Sequence, residues 1–232
     1  MKRLFVTATN TNVGKTTIIL RLIELFGQKN IRIGVFKPIE TGVMQTPLDA
    51  KKLLDEVQKY NPEFLSFKPH DITAYTFSLP SAPFSADVDK IIDLKEIEKK
   101  AQELESKCDL LLIEGAGGLY VPITEDFFMI DLIQKLDAHT LLVTHSKLGA
   151  INDTLLSIEA LNNRDISFDW CANLYENVED FKKITQPFYD KYFNHEWWDI
   201  NNGLEDFVER FIKDLSSTKY ATLNPYNTGF GL

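Results

Sequence analysis

The residues that decide the fold are Ala8-Thr9-Asn10-Thr11-Asn12-Val13-Gly14-Lys15-Thr16-Thr17, a polar stretch between two apolar segments. The apolar run before it, Leu4–Val6, is short and predicts a buried strand. The apolar segment after it, Ile18–Phe26, ends at Gly27 and predicts a helix that packs against a sheet. A loop between a strand and a helix is a place where backbone N–H groups and the helix dipole attract phosphate oxygens. We therefore predict a phosphate-binding loop over residues 8–17.

Two side chains of this loop suit a nucleoside triphosphate. Lys15 would bring a positive charge to the terminal phosphates, and the Thr16 hydroxyl would reach a magnesium ion. The strict pattern G-x-x-x-x-G-K-[ST] is not met, because Thr9 stands at the first glycine position. An ordinary capped helix start is the alternative interpretation, and the strand–loop–helix context favours phosphate binding over it.

The rest of the chain alternates apolar strands with amphipathic helices, which predicts one α/β domain with a mostly parallel sheet flanked by helices on both faces. We predict a second strand at Ile31–Phe36, stopped by Lys37-Pro38. Residues 62–83 are rich in turn residues and are interpreted as an excursion from the core. Further strands are predicted at Asp109–Glu114, Thr140–Thr144 and Phe168–Leu174, and helices at Asp49–Tyr60, Leu94–Leu104, Asp153–Leu161 and Leu204–Leu215. The domain is expected to span residues 1–215, followed by a polar tail at 216–232.

Composition limits the classes of partner. The chain has 232 residues, of which 44% are hydrophobic, and 25 basic against 34 acidic residues give a net charge of −9. A net acidic chain has no general attraction to nucleic acid or to an anionic membrane, and no apolar run approaches the ~20 residues of a membrane span. Two cysteines are too few for a disulfide scaffold or a cysteine-rich zinc site, so we expect a cytoplasmic protein.

Two further loops are candidates for binding anions and metal. Glu114 ends the apolar run of its strand and precedes Gly115-Ala116-Gly117-Gly118, a sequence that permits close approach of a ligand to the backbone. A carboxylate at the end of a central parallel strand would hold magnesium near the phosphate loop, although a solvated strand-end acid is the common alternative. Lys37, in Lys37-Pro38-Ile39-Glu40-Thr41-Gly42, would face the same crevice, or would be a solvated surface lysine.

Two more segments are ambiguous by themselves. Asp49 would serve as a second magnesium carboxylate or as a helix cap. Residues 145–153 lead from a strand into a helix, whose N–H groups would bind a carboxylate or simply start the helix.

Taken in order, these motifs resemble the dethiobiotin synthetase family, ligases with a P-loop NTPase fold. The resemblance covers Leu4 to about Leu174. It rests on six segments: Thr11–Thr17, Lys37–Gly42, Ser81-Ala82-Pro83, Glu114–Leu119, Val121-Pro122 and Lys147–Asn152. The lysine–proline loop and the E-G-A-G-G loop in this order are specific, whereas each alone is not. The family's later base-binding segment is not recognised, because Thr185–Gly203 does not match it.

The resemblance implies a homodimer that converts diaminononanoate, carbon dioxide or bicarbonate, and ATP into dethiobiotin, ADP and phosphate. Catalytic roles would belong to Lys37, Lys15 and Thr11, and a Mg²⁺ site to Thr16, Asp49 and Glu114. Nucleotide contacts would come from Asn12, Val13, Gly14, Lys15, Thr16, Thr17, Asp49, Glu114, Gly115, Ala116, Gly117 and Asn173. The substrate would contact Lys37, Thr41, Leu148, Gly149, Ala150, Ile151 and Asn152, the last five across the dimer interface.

The chief alternative is a partition or positioning ATPase, a nucleotide-driven switch that binds partner proteins. That class shares the fold and the G-K-T-T sequence. Its loop needs an additional lysine at the position of Asn10, and it gives no reason for the lysine–proline loop at Lys37.

Overall fold

The structure is a computed structural model that describes residues 2–216. Its six strands are β1 (Arg3–Ala8), β2 (Ile33–Thr41), β3 (Thr73–Phe77), β4 (Leu110–Gly118), β5 (His139–His145) and β6 (Phe168–Asn173). The helices are α1 (Lys15–Gln28), α2 (Leu48–Val57), α3 (Pro83–Ala86), α4 (Leu94–Glu105), α5 (Met129–Lys135), α6 (Ala150–Asn162), α7 (Val178–Asp180), α8 (Gln186–Tyr192) and α9 (Ile200–Ser216). Short 3₁₀ turns cover Pro62–Phe64 and Pro69–Ile72, and a π turn covers Phe181–Thr185.

The strands form one sheet in the order β3-β2-β4-β1-β5-β6, and all of the pairs are parallel. Within residues 2–216 this confirms the predicted α/β class and makes the sheet entirely parallel. The central strands are apolar along their length because helices cover both faces of a parallel sheet. Every residue of β5 is buried, as are the first six residues of β4. The carboxyl ends of β1, β2, β4, β5 and β6 consequently meet at one edge, where loops carry the polar residues.

The second strand does not stop at Lys37-Pro38, as the sequence suggested, but continues to Thr41. The reason lies in its change of partner. β2 pairs with β4 only through Phe36, and from Lys37 onward it pairs with β3. Proline lacks a backbone N–H, and at position 38 no ladder bond to β4 remains to be lost.

The predicted excursion over residues 62–83 is wrong in one respect, because it contains the edge strand β3. This five-residue strand is short and only partly buried, so its apolar pattern is weak.

Three helix boundaries also differ from prediction. The helix predicted at Asp49–Tyr60 is α2, which ends earlier, at Val57. The helix predicted from Asp153 begins at Ala150, and the last helix, predicted from Leu204, begins at Ile200. The predicted tail lies outside the described residues, except for Ser216 at the end of α9.

No helix among residues 2–216 combines the length and the apolar character that a membrane crossing requires.

One buried amide ties the connection after α2 to the sheet. Asn61 has no exposed surface, and its Nδ2 donates to the carbonyls of Ile33 at 2.9 Å and Lys107 at 3.0 Å. Its Oδ1 accepts from the N–H of Glu63 at 3.1 Å. The two bonds from Nδ2 link the start of β2 to the turn before β4, and the bond from Glu63 fixes the local chain around the amide.

We expect Asn61→Ala to lower the free energy of unfolding by about 2–3 kcal/mol, because it leaves buried carbonyls without donors. Urea unfolding followed by circular dichroism measures the change. Asn163→Ala, at an exposed position after α6, is the matched control and should stay within about 0.5 kcal/mol of the parent. Equal effects of both substitutions would contradict a structural role for Asn61.

Candidate active site

The phosphate-binding loop predicted from the sequence joins β1 to α1 at the carboxyl edge of the sheet. Gly14 precedes α1 with a φ of 99°, a left-handed conformation that favours glycine. A Cβ at this position would lie 2.4 Å from Nδ2 of Asn173. No side chain of the described residues caps α1 at Gly14, so the first N–H groups of this helix are left to bind an anion.

Lys15 is buried although it carries a charge. Its Nζ donates to the carbonyl oxygens of Gly117 at 2.8 Å and Asn10 at 3.2 Å. The ammonium group thus spans the phosphate loop and the glycine-rich end of β4. These carbonyls hold the lysine at the place where a terminal phosphate is expected.

Lys37 and Glu114 form a buried ion pair beside Lys15. The Nζ of Lys37 lies 2.7 Å from Oε1 of Glu114 and 3.3 Å from the carbonyl oxygen of Gly115. The same Oε1 accepts a hydrogen bond from the Thr16 hydroxyl at 3.0 Å. Side chains from α1, β2 and β4 therefore meet at one carboxylate. The interpretation of Lys37 as a solvated surface lysine is wrong, since its side chain is only 5% exposed.

Asp49 faces this cluster from the first turn of α2. Its Oδ2 lies 4.0 Å from the Nζ of Lys37, and the side chain is partly exposed. The alternative of a helix cap is wrong, because Glu40 has that role. The carboxylate of Glu40 accepts from the N–H groups of Asp49 and Ala50, each at 2.9 Å. This bond pair fixes the start of α2, and with it the position of Asp49, relative to β2.

The residues predicted to hold Mg²⁺ fit a divalent cation. Oε2 of Glu114 is buried and has no hydrogen-bond partner within the described part of the chain, an arrangement that a cation would satisfy. The Thr16 hydroxyl and the Asp49 carboxylate are further oxygen donors, which is the ligand type that Mg²⁺ prefers. Residues 2–216 contain no cluster of three or more His, Cys, Asp or Glu side chains suited to a metal. The protein would thus supply few ligands, and phosphate and water the others.

Two other predicted residues lie at the phosphate loop, and a third lies at the end of β2. Thr11 is near Gly117, where a Cβ would come within 3.5 Å of the threonine Oγ1. Asn173, at the end of β6, donates from Nδ2 to the carbonyl of Val13 at 2.8 Å. Thr41 ends β2, on the strand that carries Lys37.

The predicted substrate turn, Leu148–Asn152, starts α6. Gly149 has a φ of 95°, and the side chain of Leu148 is 97% exposed. The N–H groups of Ile151 and Asn152 have no acceptor among the described residues, as expected for a first helical turn. No hydrogen bond or ion pair within residues 2–216 joins this turn to Lys15, Lys37 or Glu114.

Two cavities open at this side of the molecule, and one of them borders the phosphate loop. One, of about 650 Å³, lies beyond β6 and is lined by Leu174, Trp197, Trp198 and Asp199 among others. The other, of about 600 Å³, lies between the phosphate loop and α6, with Thr9, Gly118 and Leu156 in its walls.

Sequence reasoning gave no role to Glu40. A signal was present, since this acid lies on a strand close to the predicted start of a helix, and helix starts attract carboxylates. The connection between the two was not visible because it depends on how α2 packs against β2.

Comparison with known proteins agrees with this geometry. Residues 2–169 match a family described as an AAA domain. The ATP-dependent dethiobiotin synthetase BioD of Sulfurovum sp. is 55% identical over 90% of this chain and 99% of its own length. The enzyme of the same name from Wolinella succinogenes is 39% identical over 93% of this chain and 100% of its own. A plasmid partition protein from Borrelia burgdorferi aligns in structure with a TM-score of 0.53 at 9% identity, over 94% of this chain and 98% of its own. The last similarity shows a shared fold.

The two lysines are electrostatically different. Burial, together with the nearby charge of Lys37, lowers the pKa of Lys15 to about 8, against the opposing effect of Glu114 and Asp49. Burial also acts to lower the pKa of Lys37, but Glu114 and Asp49 outweigh it and raise the pKa above its ordinary value. The ion pair therefore favours the charged form of Lys37, whereas Lys15 titrates near pH 8.

We expect triphosphate binding to be accompanied by proton uptake near pH 8, because bound anions raise the pKa of Lys15 from about 8. Below that pH the lysine is already protonated and uptake disappears. Above it, uptake grows while affinity falls, since binding must then supply the energy of protonation. Titration calorimetry with MgATP, in buffers of different ionisation enthalpy at about pH 6.5, 8 and 9, measures the uptake. Equal uptake at all three pH values would contradict the lowered pKa.

Proposed function

The chain belongs to the ATP-dependent dethiobiotin synthetase family and is an ATP-dependent ligase, and we propose that it forms dethiobiotin from diaminononanoate, carbon dioxide and ATP. One observation supports this proposal above the others. Lys15 and Lys37 reach the same segment of β4, at Gly117 and at Glu114–Gly115, next to the start of α1. A site that holds two ammonium groups beside a phosphate loop suits a reaction in which two anions must meet.

The proposed reaction has three steps. An amine of the substrate first captures carbon dioxide and becomes a carbamate, losing a proton. A carbamate oxygen then attacks the γ-phosphate of ATP, which releases ADP and gives a mixed carbamic–phosphoric anhydride. The second amine attacks the carbonyl carbon, loses a proton, closes the ring and expels phosphate. Carbamate and triphosphate repel each other, so the second step requires cationic groups in fixed positions.

Each residue of the site has a proposed role in this reaction that follows from its charge and position. Lys37, which stays protonated, would bind the carbamate and the transferring phosphoryl group. Lys15 and the first N–H groups of α1 would bind the terminal phosphates. Thr11, close to Gly117, would help to position the reacting groups. Thr16, Glu114 and Asp49 would hold Mg²⁺, which neutralises phosphate charge when it is bound.

The nucleotide base would lie beyond β6. Asn173 is held against Val13 of the phosphate loop, and the cavity of about 650 Å³ begins at the next residue, Leu174. Two tryptophans in its wall offer aromatic surface to a base, and the nearby amides offer hydrogen bonds. This segment would take the place of the family's base-binding sequence, which is not recognised in Thr185–Gly203.

The substrate carboxylate would bind to the N–H groups at the start of α6. Because no hydrogen bond or ion pair joins this turn to Lys15 or Lys37 within residues 2–216, we propose that it serves the partner subunit of a homodimer. The exposed Leu148 is suited to burial at such an interface. A cytoplasmic location and an extent of 1–215 for the domain likewise remain predictions.

A partition-type switch is the second candidate, and the fold alone is compatible with it. The site argues against a switch for two reasons. Asn10 provides no second loop lysine, and Lys37 is buried toward Glu114, where a protein partner could not reach it. In the proposed ligase reaction, this buried cation would bind the carbamate and the transferring phosphoryl group.

We expect ADP release only when diaminononanoate and bicarbonate are supplied together with MgATP, because the carbamate is the phosphoryl acceptor. A coupled ADP assay with each component left out in turn makes the measurement, and mass spectrometry identifies dethiobiotin. ADP release at the full rate without the diamine would favour the switch.

We expect Lys37→Ala to lower kcat at least ~100-fold, since one preorganised cationic group in such a site contributes about 3 kcal/mol to the transition state. Nucleotide binding by calorimetry should persist and shows that the variant is folded. Lys99→Ala, an exposed lysine on α4, is the control and should retain the parental rate. Parental turnover in Lys37→Ala would overturn the assignment of Lys37 as catalytic.

A further inference from the structure

A chain of three buried hydroxyl groups runs from the sheet to the start of α6. Oγ1 of Thr144, on β5, lies 2.5 Å from Oγ1 of Thr154 on α6. The Thr154 oxygen lies 2.8 Å from the hydroxyl of Tyr189 on α8. The Tyr189 hydroxyl in turn donates to the carbonyl oxygen of Ala150 at 3.1 Å. All three side chains belong to residues without exposed surface.

The direction of the chain is fixed by its last member. A carbonyl oxygen only accepts, so the hydrogen of Tyr189 points to Ala150. The tyrosine oxygen must then accept from Thr154, and Thr154 from Thr144, so each hydroxyl donates once along the chain. Burial raises the pKa of Tyr189 to about 12, which keeps its hydroxyl protonated under all working conditions. The bond to Ala150 is thus a permanent and oriented contact.

Aromatic packing holds the ring of Tyr189 in place. Trp170, Phe181 and Trp197 surround it in edge-to-face contacts, with ring centroids 5.4–5.7 Å away. These partners come from β6, the π turn and the segment before α9. The part of the chain after β6 therefore forms a rigid support for this hydroxyl.

Ala150 is the first residue of α6 and lies inside the turn proposed to receive the substrate carboxylate. Within the turn, Leu148 projects into solvent, and a Cβ on Gly149 would meet no atom within 4 Å. The residues before the turn are held by an ion pair of 2.7 Å between Lys147 and Glu176 and by the hydrogen bond from the Ser146 hydroxyl to the carbonyl of Glu176. The imidazole of His145 lies 3.0 Å from Asp153 and accepts from the N–H of Lys147, whereas the hydroxyl of Tyr189 reaches the first residue of the helix itself.

We propose that Tyr189 is a positioning residue, which fixes the first turn of α6 through the carbonyl of Ala150 so that its N–H groups are aimed at the substrate carboxylate. This inference rests on the proposed function, because it assumes that the turn binds that carboxylate. The hydroxyl would act on substrate affinity and not on phosphoryl transfer, since no hydrogen bond among the described residues joins its chain to Lys15 or Lys37. Loss of the hydroxyl should therefore raise KM for the diamine acid and leave kcat unchanged.

Tyr189→Phe removes the hydroxyl and keeps the ring. We expect KM for diaminononanoate to rise about fivefold to tenfold, the effect of one buried hydrogen bond, while kcat and KM for ATP stay within about twofold. Diaminononanoate methyl ester, which has no carboxylate, is the decisive probe. The parent and Tyr189→Phe should convert the ester with equal kcat/KM. The ester has no carboxylate for the N–H groups of the first turn of α6 to bind, so their position no longer matters.

Thr154 provides an independent test should Tyr189→Phe fail to fold in circular dichroism. Thr154→Val interrupts the hydroxyl chain and should reproduce the rise in KM, whereas Thr154→Ser keeps the hydroxyl and should restore the parental value. Tyr192→Phe, on the same helix at a 41% exposed position, is the control and should change neither constant.

The outcomes separate this inference from the proposed function. No turnover of diaminononanoate by the parent protein would overturn the function itself. Parental activity with an unchanged KM in Tyr189→Phe and Thr154→Val would overturn the role of Tyr189 alone. An equal loss of kcat/KM on the acid and on the ester would also overturn it, because that pattern indicates general damage to the site.

Discussion

The buried ion pair between Lys37 and Glu114 is the interaction on which the site depends. Phe36 and Ile113 are the last paired residues of β2 and β4, and the charged pair follows directly after them. Beyond this point β2 pairs with β3, and the pairing of β4 with β1 shifts register between Val6 and Ala8. Strands β2 and β4 thus stop pairing where the charges meet. Burying either charge alone would be costly, so each carries the counter-charge that the other needs.

This pairing prepares the site for anions before any ligand arrives. Glu114 keeps Lys37 charged at a depth where an isolated lysine would lose its proton. Its free oxygen Oε2 stays available for a cation, and Thr16 fixes the other oxygen. Nearby Lys15 has no carboxylate partner of this kind within the described residues, and its pKa is lowered to about 8. The difference between the two lysines is a matter of neighbours, since both are buried.

The segment after β6 connects the two halves of the proposed reaction. Asn173 and Tyr175 donate to carbonyls of the phosphate loop, at Val13 and Asn12. One residue later, the carbonyl of Glu176 accepts from the Ser146 hydroxyl, in the loop that leads to α6. Further along, Tyr189 holds α6 itself. A part of the chain whose sequence departs from the family pattern therefore supports both the loop between β1 and α1 and the start of α6.

The sequence by itself determined the fold class, the phosphate loop and the identity of the charged residues. These features are local, since apolar periodicity and a glycine–lysine loop between strand and helix depend on neighbours in the chain. It did not determine the extent of β2 beyond Pro38, the strand β3, or the role of Glu40 as the cap of α2. Nor did it show that Lys37 is buried on Glu114 or that Tyr189 reaches Ala150. Each of these depends on contacts between residues far apart in sequence, which exist only once sheet register and helix packing have placed the side chains together.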